Sequence, residues 1–441
     1  MKTTSPRAKF YASLVIFGLV GQIAWVVENM YFNVFIYKMF HASPADISAM
    51  VMASAVAATV TTLLMGALSD KLGRRKVFIA GGYILWGISI LSFAFIREDT
   101  VGLLFPAASV SAVCVTAVIV MDCVMTFFGS TANDACFNAW LTDSTTHQNR
   151  GAAEGINAMM PLVAILAVFG GFMGFDLGEQ SSWTVIVAII GIAVTVIGVA
   201  GFFLIEERDK RDKKADGTNR YFANILYGFR PSVVRANPLL YLLFIAFALF
   251  GISIQIFMPY LILYYTEGLR MEGYVLIMAP AIILASVCTV LWGRLHDKVG
   301  FRRSVLPALG MLCAGYVLLY FFRSTPLVFV GSLLMMCGYL SGSAVFGAVI
   351  RDYTPEGRAG MFQGLRIVGQ VLIPGVIGPA IGARVLRNAE TIIGDDGTEA
   401  FVPNQNIFLA ALVAAVVLGL FLALLLRIMK KSASEVRHEG Q

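Results

Sequence analysis

The stretch Gly66-Ala67-Leu68-Ser69-Asp70-Lys71-Leu72-Gly73-Arg74-Arg75-Lys76 is a charged segment, framed by glycines, between two long apolar runs. The pattern returns about half a chain later as Gly293-Arg294-Leu295-His296-Asp297-Lys298-Val299-Gly300-Phe301-Arg302-Arg303. Both copies read Gly, three residues, Asp, a basic residue, one residue, Gly, one residue and two basic residues. This repetition predicts two halves that are built alike, with the segment at an equivalent place in each.

The composition is that of a membrane protein. Of the 441 residues, 58% are hydrophobic and only 14% are charged, and the mean hydropathy is +0.78. Apolar runs of about 20 residues match a bilayer core roughly 30 Å thick, and lipid offers no partner for unpaired backbone groups, so the runs are predicted to be helices. The six cysteines and four histidines show no metal-ligand spacing, so we expect no metal and no cofactor.

The apolar runs predict an all-α membrane protein with twelve transmembrane helices in two six-helix bundles. An N-terminal bundle is expected over 1–205, a linker over 206–237, and a C-terminal bundle with a tail over 238–441. The predicted spans are roughly 11–37, 44–66, 77–96, 111–141, 151–175, 183–205, 238–265, 273–293, 304–322, 327–350, 360–385 and 406–428.

The basic residues predict the orientation. An even number of spans places both termini on one side, and most of the 33 Lys and Arg residues fall on that side, in the termini, the linker and both repeated loops. The positive-inside rule makes this side cytoplasmic and the protein a multi-pass protein of the cytoplasmic membrane. Since topology explains the positive charge, we expect no nucleic-acid partner. The expected partners are the lipid bilayer and a small-molecule substrate, and the protein is expected to be a monomer.

A second repeat supports the division into halves. Asp143 to Asn157, after the fourth span, aligns without gaps with Asp352 to Arg366, after the tenth. Equivalent loops on the same side of the membrane indicate a parallel repeat of six spans. The first half then carries an insertion between its third and fourth spans, which fits at 97–110.

The two glycine-framed loops resemble the signature loop of the major facilitator superfamily, matched at all defining positions in both copies. The resemblance implies two bundles that alternately open a substrate site between them to either side. The Asp-rich end of span four, leading into Asn149-Arg150-Gly151, is similar to the glycoside–pentoside–hexuronide cation symporter group. That group often carries sodium-binding acids on span two, whereas this span offers hydroxyl side chains. Proton coupling is therefore favoured over sodium coupling.

If the superfamily's arrangement holds, the cytoplasmic position of the loop favours a conformational latch over a substrate site, so its residues are predicted to act in the transition between states. In this reading Asp70 faces the start of span eleven near Gly360, and Asp297 faces span five near Gly151, each held by a helix dipole. The glycines allow the turn, and the basic residues hold the loop in the cytoplasm. The predicted latch residues are Asp70, Gly73, Arg74, Arg75, Asp297, Gly300 and Arg302.

Span four carries the first candidate for cargo or ion binding, because ionisable residues within a membrane are costly and therefore candidates for function. Helical spacing places Asp122, Thr126 and Asn133 on one face, with Gly129, Phe137 and Trp140. A carboxylate, hydrogen-bonding groups and an aromatic surface suit a polyhydroxylated substrate. The alternative is that Asp122 is a structural carboxylate bonded to another helix.

Span one offers a comparable face with Trp25, Glu28, Asn29 and Asn33. Amides that take hydroxyl groups, next to an indole that stacks on the C–H side of a pyranose, are typical of sugar sites. Asp122 and Glu28 are the candidate proton carriers. The alternative for Glu28 is a position near the outer membrane surface, where it would reach water.

Span seven, the internal counterpart of span one, contributes Gln255, Tyr260 and Tyr264 as candidate partners across a central cavity. An outer aromatic belt would explain Tyr264 equally well. Asp134 and Arg366 lie at matching depths on spans four and eleven and are predicted to form a cytoplasmic gate. In the alternative, Arg366 pairs with Asp352 and only stabilises the loop between spans ten and eleven.

These observations predict a secondary active transporter, not an enzyme, that moves a small polar solute by proton-coupled alternating access. A sugar or a glycoside is the favoured cargo. The alternatives are an exporter of amphipathic compounds, an organic-anion carrier, and a receptor or scaffold on the same fold. The scarcity of basic residues deep in the spans argues against an anion, and two intact copies of the latch loop argue against a protein that does not move.

Overall fold

The computed structural model describes residues 6–105, 109–145, 149–206, 227–271, 273–355, 362–393 and 398–439. Within these ranges, twelve helices are long and apolar enough to cross a bilayer. The prediction of an all-α membrane protein with twelve spans is therefore confirmed. We number the spans 1 to 12 in chain order.

The first six spans differ in regularity. Spans 2, 5 and 6 are continuous α-helices, span 3 ends in a 3₁₀ turn, and a π-helical segment interrupts spans 1 and 4. A short helix, Glu98–Leu104, lies where the sequence predicts the insertion. The bounds are Pro6–Val26, Val27–Tyr31 (π) and Phe32–Phe40 for span 1; Pro44–Leu72 for span 2; Arg75–Ser92 and Phe93–Phe95 for span 3; Val110–Gly129, Ser130–Phe137 (π) and Asn138–Ser144 for span 4; Arg150–Phe172 for span 5; and Gln180–Leu204 for span 6.

The last six spans follow a 3₁₀ turn at Tyr227–Phe229 and a short helix at Pro231–Ala236. Much of the predicted linker, 207–226, lies outside the described residues. The bounds are Pro238–Phe257, Met258–Tyr260 (3₁₀), Leu261–Leu263 and Tyr264–Gly268 (π) for span 7; Tyr274–Val299 for span 8; Phe301–Phe321 for span 9; Thr325–Tyr353 for span 10; Gln363–Ile367, Val368–Leu372 (π) and Ile373–Leu386 for span 11; and Asn406–Glu439 for span 12.

The connection between spans 1 and 2 shows how local sequence sets the helix ends. His41 ends span 1 in the left-handed conformation, with φ of 51°. Ser43 then caps span 2: its hydroxyl accepts from the Asp46 backbone N–H, and the Asp46 carboxylate accepts from the Ser43 backbone N–H. Pro44 follows at the first helical position, where its missing N–H costs nothing.

The chain divides into two compact units. The first comprises Met1–Phe222 together with Thr391–Ala400, and the second comprises Ala223–Glu390 and Phe401–Gln441. The short strand Thr391–Ile393, which pairs with Glu399–Phe401, thus groups with the first unit, although spans 11 and 12 on either side of it belong to the second. Within the first unit, the Thr398 hydroxyl lies 3.2 Å from Nε2 of His41. A division by position along the chain does not anticipate this exchange. We call the two units the first and the second bundle.

Candidate functional site

Glu28 is a buried carboxylate at which three spans of the first bundle meet. It lies in the π-helical turn of span 1 and is 5% exposed. Its Oε1 accepts a hydrogen bond from Ser54 of span 2 at 2.7 Å and one from Thr126 of span 4 at 2.8 Å. The two hydroxyl oxygens are themselves 2.8 Å apart. Glu28 is therefore enclosed by the bundle and has little contact with water.

Asp122 is a second buried carboxylate beside the first. It is 1% exposed, lies one turn before Thr126 on span 4, and faces Ser54 and the charge of Glu28. Oδ1 of Asp122 and Oε2 of Glu28 have no hydrogen-bond partner among the described residues. Within the same ranges no Lys or Arg is buried. Since two uncompensated charges in such a place would be very costly, the pair is suited to hold a proton or a small cation.

Trp25 and Asn133 belong to a second polar cluster of the first bundle. The indole N–H of Trp25 donates to Oδ1 of Asn133 at 3.3 Å, and the Asn133 amide donates to the Tyr83 hydroxyl at 2.7 Å. Trp86 packs against Trp25 with ring centroids 5.0 Å apart. Tyr83 and Trp86 lie on span 3 and are fully buried. Both are residues that the sequence analysis did not identify.

The remaining amides of span 1 bond within their own helix. Asn29 is exposed and donates to the Trp25 carbonyl at 2.8 Å. Asn33 is fully buried and donates to the Asn29 carbonyl at 2.9 Å, while its Oδ1 has no partner among the described residues. The predicted face of span 1 is thus divided, with Glu28 in one cluster and Trp25 in the other. The cargo roles of Asn29 and Asn33 remain predictions.

The stripe predicted on span 4 contacts span 1 at two levels about one turn apart, at Glu28 and at Trp25. The π-helical segment Ser130–Phe137 has wider turns than an α-helix, so counting by threes and fours loses its register there. Thr126, before the segment, reaches Glu28, whereas Asn133, within it, reaches Trp25 and Tyr83. Asp134 accepts from the Ser130 hydroxyl at 3.0 Å.

The candidate residues of span 7 lie in the second bundle. Tyr260 is fully buried, and Gln255 is half-buried. Tyr264 is 1% exposed, donates its hydroxyl to the Leu319 carbonyl at 3.2 Å, and packs edge-on against Phe408. A belt residue would face lipid, so the burial of Tyr264 excludes the aromatic-belt alternative. The roles of the three residues in cargo binding stay predictions.

The first copy of the glycine-framed loop is closed by an ion pair. Nε of Arg75 lies 2.6 Å from Oδ2 of Asp143 at the end of span 4, and another guanidinium N–H donates to Ser69 at 3.1 Å. Gly73 has φ of 64°, a conformation that favours glycine. The sequence indicated Arg75 and Gly73 but not Asp143, although the repeat had already aligned Asp143 with Asp352.

The second copy is closed differently. His296, at the position of Ser69, is buried, and its Nδ1 lies 2.7 Å from the Ser304 hydroxyl on span 9. Gly300 again has a positive φ, of 75°. Arg302 and Asp297 are exposed, as is Arg74 in the first copy.

Two predictions, the latch contact of Asp70 near Gly360 and the gate between Asp134 and Arg366, are not tested by the contacts of the described residues. The side chain of Asp70 and the position of Gly360 lie outside the described residues. Nε of Arg366, which is exposed, donates to Gln370 of its own span at 3.2 Å. The gate between Asp134 and Arg366 stays a prediction.

Sequence reasoning missed Ser54, Tyr83, Trp86 and Asp143. Ser54 was only one of several hydroxyl residues on span 2, and helical spacing alone does not tell which of them meets a carboxylate. Tyr83 and Trp86 look like ordinary aromatic residues of an apolar span. Within the described part of the chain, no group of three or more His, Cys, Asp or Glu could hold a metal ion.

Comparisons with known proteins identify a family of membrane transporters. A family model described as Major Facilitator Superfamily matches residues 12–379 and 276–441. Sugar efflux transporter B of Salmonella typhimurium is 26% identical over 207 residues, which are 47% of this chain and 48% of that protein. The chain thus matches about half the length of that curated relative.

Two solved structures share the fold. The nucleoside transporter NupG has a TM-score of 0.69 at 14% identity, over 93% of this chain and 98% of its own. A D-xylose-proton symporter has a TM-score of 0.68 at 15% identity, over 94% of this chain and 97% of its own. At these identities the likeness concerns the fold alone.

Proposed function

We propose that this chain, which belongs to the Major Facilitator Superfamily, carries a sugar or a glycoside into the cell by proton-coupled alternating access. Membership in the family makes the chain a membrane transporter and not an enzyme. The cargo, the coupling ion and the direction of transport are the proposed part. So are the location in the cytoplasmic membrane and the cytoplasmic termini, which rest on the distribution of Lys and Arg.

The observation that carries the proposal is the pair of buried carboxyl groups, Glu28 and Asp122, that face Ser54. Each has an oxygen without a hydrogen-bond partner among the described residues. A proton bound here neutralises a charge in a low-dielectric interior. The pair is therefore suited to bind the proton that is transported with the cargo. A sodium ion is the less favoured occupant.

The cluster next to this pair supports a sugar as cargo. Asn133 supplies an amide, and Trp25 supplies a partly exposed indole held by that amide. Indoles stack on the C–H faces of sugar rings, while amides accept and donate to hydroxyl groups. The absence of a buried Lys or Arg within the described ranges gives an organic anion no counter-charge there.

Export of sugars is the second candidate function, because the curated relative is named a sugar efflux transporter. Export would couple the same proton entry to the opposite movement of cargo. The two candidates therefore differ in the sign of cargo movement under one imposed proton gradient.

The test uses the purified full chain in liposomes with an acidic exterior. Radiolabelled D-xylose, D-galactose, lactose and uridine are the probes, and a protonophore provides the control. The proposal expects at least one sugar to accumulate above its outside concentration, and the protonophore to abolish this. Depletion of a preloaded sugar would favour export. Movement of uridine alone, or of none of the probes, would contradict a sugar transporter.

A further inference from the structure

We infer that Tyr83 is a positioning residue that fixes the Asn133 carboxamide and, through it, the indole of Trp25 as a platform for cargo. The inference rests on the proposed function, since it assigns that platform its orientation. Tyr83 lies on span 3, and the two residues that it would position lie on spans 4 and 1.

Four groups form one directed chain of hydrogen bonds. The Tyr83 hydroxyl donates to the Phe17 carbonyl at 2.7 Å, so its only proton is engaged and its oxygen is left as an acceptor. The Asn133 amide donates to that oxygen at 2.7 Å. Oδ1 of Asn133 then faces the indole N–H of Trp25 at 3.3 Å. Because an indole N–H can only donate, the chain is consistent in this one orientation of the amide.

The reverse orientation of Asn133 would break two bonds at once. The amide N–H₂ would face the indole N–H of Trp25, donor against donor, and the amide oxygen would face a hydroxyl whose proton already points at Phe17. The hydroxyl of Tyr83 and the indole N–H of Trp25 thus both require the same orientation of the Asn133 amide, and Tyr83 holds its nitrogen end in place. Neither residue can leave the network for water, since Tyr83 is fully buried and Asn133 is 3% exposed.

The network is tightly packed against span 1. A Cβ added at Gly21 would lie 2.3 Å from the Asn133 amide nitrogen and 2.6 Å from the Tyr83 hydroxyl, so span 1 needs glycine at this close approach. Trp86 lies 5.0 Å from the ring of Trp25 and 5.5 Å from that of Tyr83. Trp25 is therefore supported on one side, and its partly exposed remainder is available to a ring with a C–H face.

The deciding experiment measures the chemical environment of the Trp25 indole in the absence of cargo. The full chain is labelled with 5-fluorotryptophan, and the resonance of Trp25 among the five tryptophans is assigned by its loss in Trp25→Phe. Tyr83→Phe removes the hydroxyl and keeps the ring. We expect the Trp25 resonance to shift or split, and Asn133→Ala to change it in the same way. Trp183 and Trp292, elsewhere in the chain, should be unaffected.

Tyr316→Phe is the matched control. Tyr316 is also fully buried, and its hydroxyl lies 3.1 Å from that of Ser253 in the second bundle. This variant should leave the Trp25 resonance unchanged. An unchanged Trp25 resonance in Tyr83→Phe would overturn the inference. So would an equal change in Tyr316→Phe, which would indicate general loosening and not positioning.

Transport kinetics separate this inference from the proposed function. With the sugar that wild type transports, Tyr83→Phe should raise KM about tenfold and change Vmax less than about twofold, because the platform binds cargo but carries no proton. Trp25→Phe combined with Tyr83→Phe should raise KM no further than Trp25→Phe alone. Independent, multiplying effects would contradict positioning. If no sugar is transported, the proposed function fails, while the fluorine spectra still decide the role of Tyr83.

Discussion

The interiors of the two bundles differ in the kind of polar group that they bury. The first bundle holds two buried carboxyl groups, Glu28 and Asp122, each with an oxygen that lacks a partner among the described residues. Among the described residues of the second bundle no carboxyl group is buried, and buried hydroxyl groups bond to one another, as Ser253 does with Tyr316 and Tyr265 with Ser332. Neutral groups that are bonded to each other cost little in a membrane, whereas unpaired acids are costly and are retained for function.

This difference assigns separate tasks to bundles that the sequence repeat makes alike. Under the proposed function, the ion is bound by the first bundle alone. The second bundle contributes an aromatic interior, in which Tyr264 bonds to Leu319 and packs against Phe408. The two copies of the glycine-framed loop follow the same division: the first is closed by the Arg75–Asp143 ion pair, and the second by His296 and Ser304.

Replacing Glu28 should have the largest effect on transport. Glu28→Gln keeps the shape and removes the proton site, so the ratio of inside to outside sugar under a proton gradient should fall to about 1, because cargo and ion are no longer coupled. Accumulation in liposomes measures this ratio. Glu267→Gln, which alters a half-buried acid of span 7, is the matched control and should keep the wild-type ratio. Equal losses in both variants would remove the distinction between the bundles.

Ser54→Ala should have an intermediate effect. It removes one donor to Glu28 and the contact with Thr126, a loss of roughly 1 to 3 kcal/mol around a buried carboxylate. We expect slower gradient-driven uptake that still exceeds the Glu28→Gln level. Ser48→Ala is the control on the same span, because the Ser48 hydroxyl contacts the Met52 sulfur of its own helix, at 3.4 Å. An unaltered rate in Ser54→Ala would argue that Glu28 does not depend on this hydroxyl.

Breaking the Arg75–Asp143 pair should have a smaller effect, which we expect on thermal stability. Its side chains are 12% and 25% exposed, so the pair is worth about 1 kcal/mol. Arg75→Ala and Asp143→Ala should each lower Tm by roughly 2–4 °C, and the double variant should lose little more. Arg302→Ala, at the equivalent position of the second loop, should lower Tm less because Arg302 is exposed. Additive losses for Arg75 and Asp143 would show that the two do not act as a pair.

Tyr316→Phe should have the smallest effect of the series. Ser253 keeps its hydrogen bond to the Ala411 carbonyl at 2.8 Å, so neither partner is left fully unsatisfied. We expect a stability loss of about 1 kcal/mol or less and an unchanged transport rate. A loss of coupling in this variant would mean that the second bundle takes part in ion binding.

Much of the fold could be predicted from the sequence, because hydrophobic length and two repeats are local signals. The positive φ of Gly73 and Gly300 is equally local. The site was only partly predictable. Glu28, Asp122 and Thr126 could be named as costly or polar residues within spans. Their shared partner Ser54 could not, since contacts between spans depend on how each helix is rotated.

The π-helical turns are a further feature that the sequence did not predict. They occur in spans 1, 4, 7 and 11, and nothing in the hydrophobic pattern marks them. In span 4 the π-helical segment holds Asn133, which contacts Trp25 and Tyr83, whereas Thr126 before the segment contacts Glu28. The grouping of Thr391–Ala400 with the first bundle could not be predicted from the sequence either. It depends on contacts between residues that are far apart in the chain, such as Thr398 and His41.

Proton movement on addition of sugar tests most directly whether the buried acid pair of the first bundle couples transport. A pH electrode in a weakly buffered suspension of liposomes should record alkalinisation of the medium when a transported sugar is added to wild type. In the double variant Glu28→Gln with Asp122→Asn, the account predicts no alkalinisation, while exchange of labelled for unlabelled sugar continues. Alkalinisation that persists in the double variant would contradict the account.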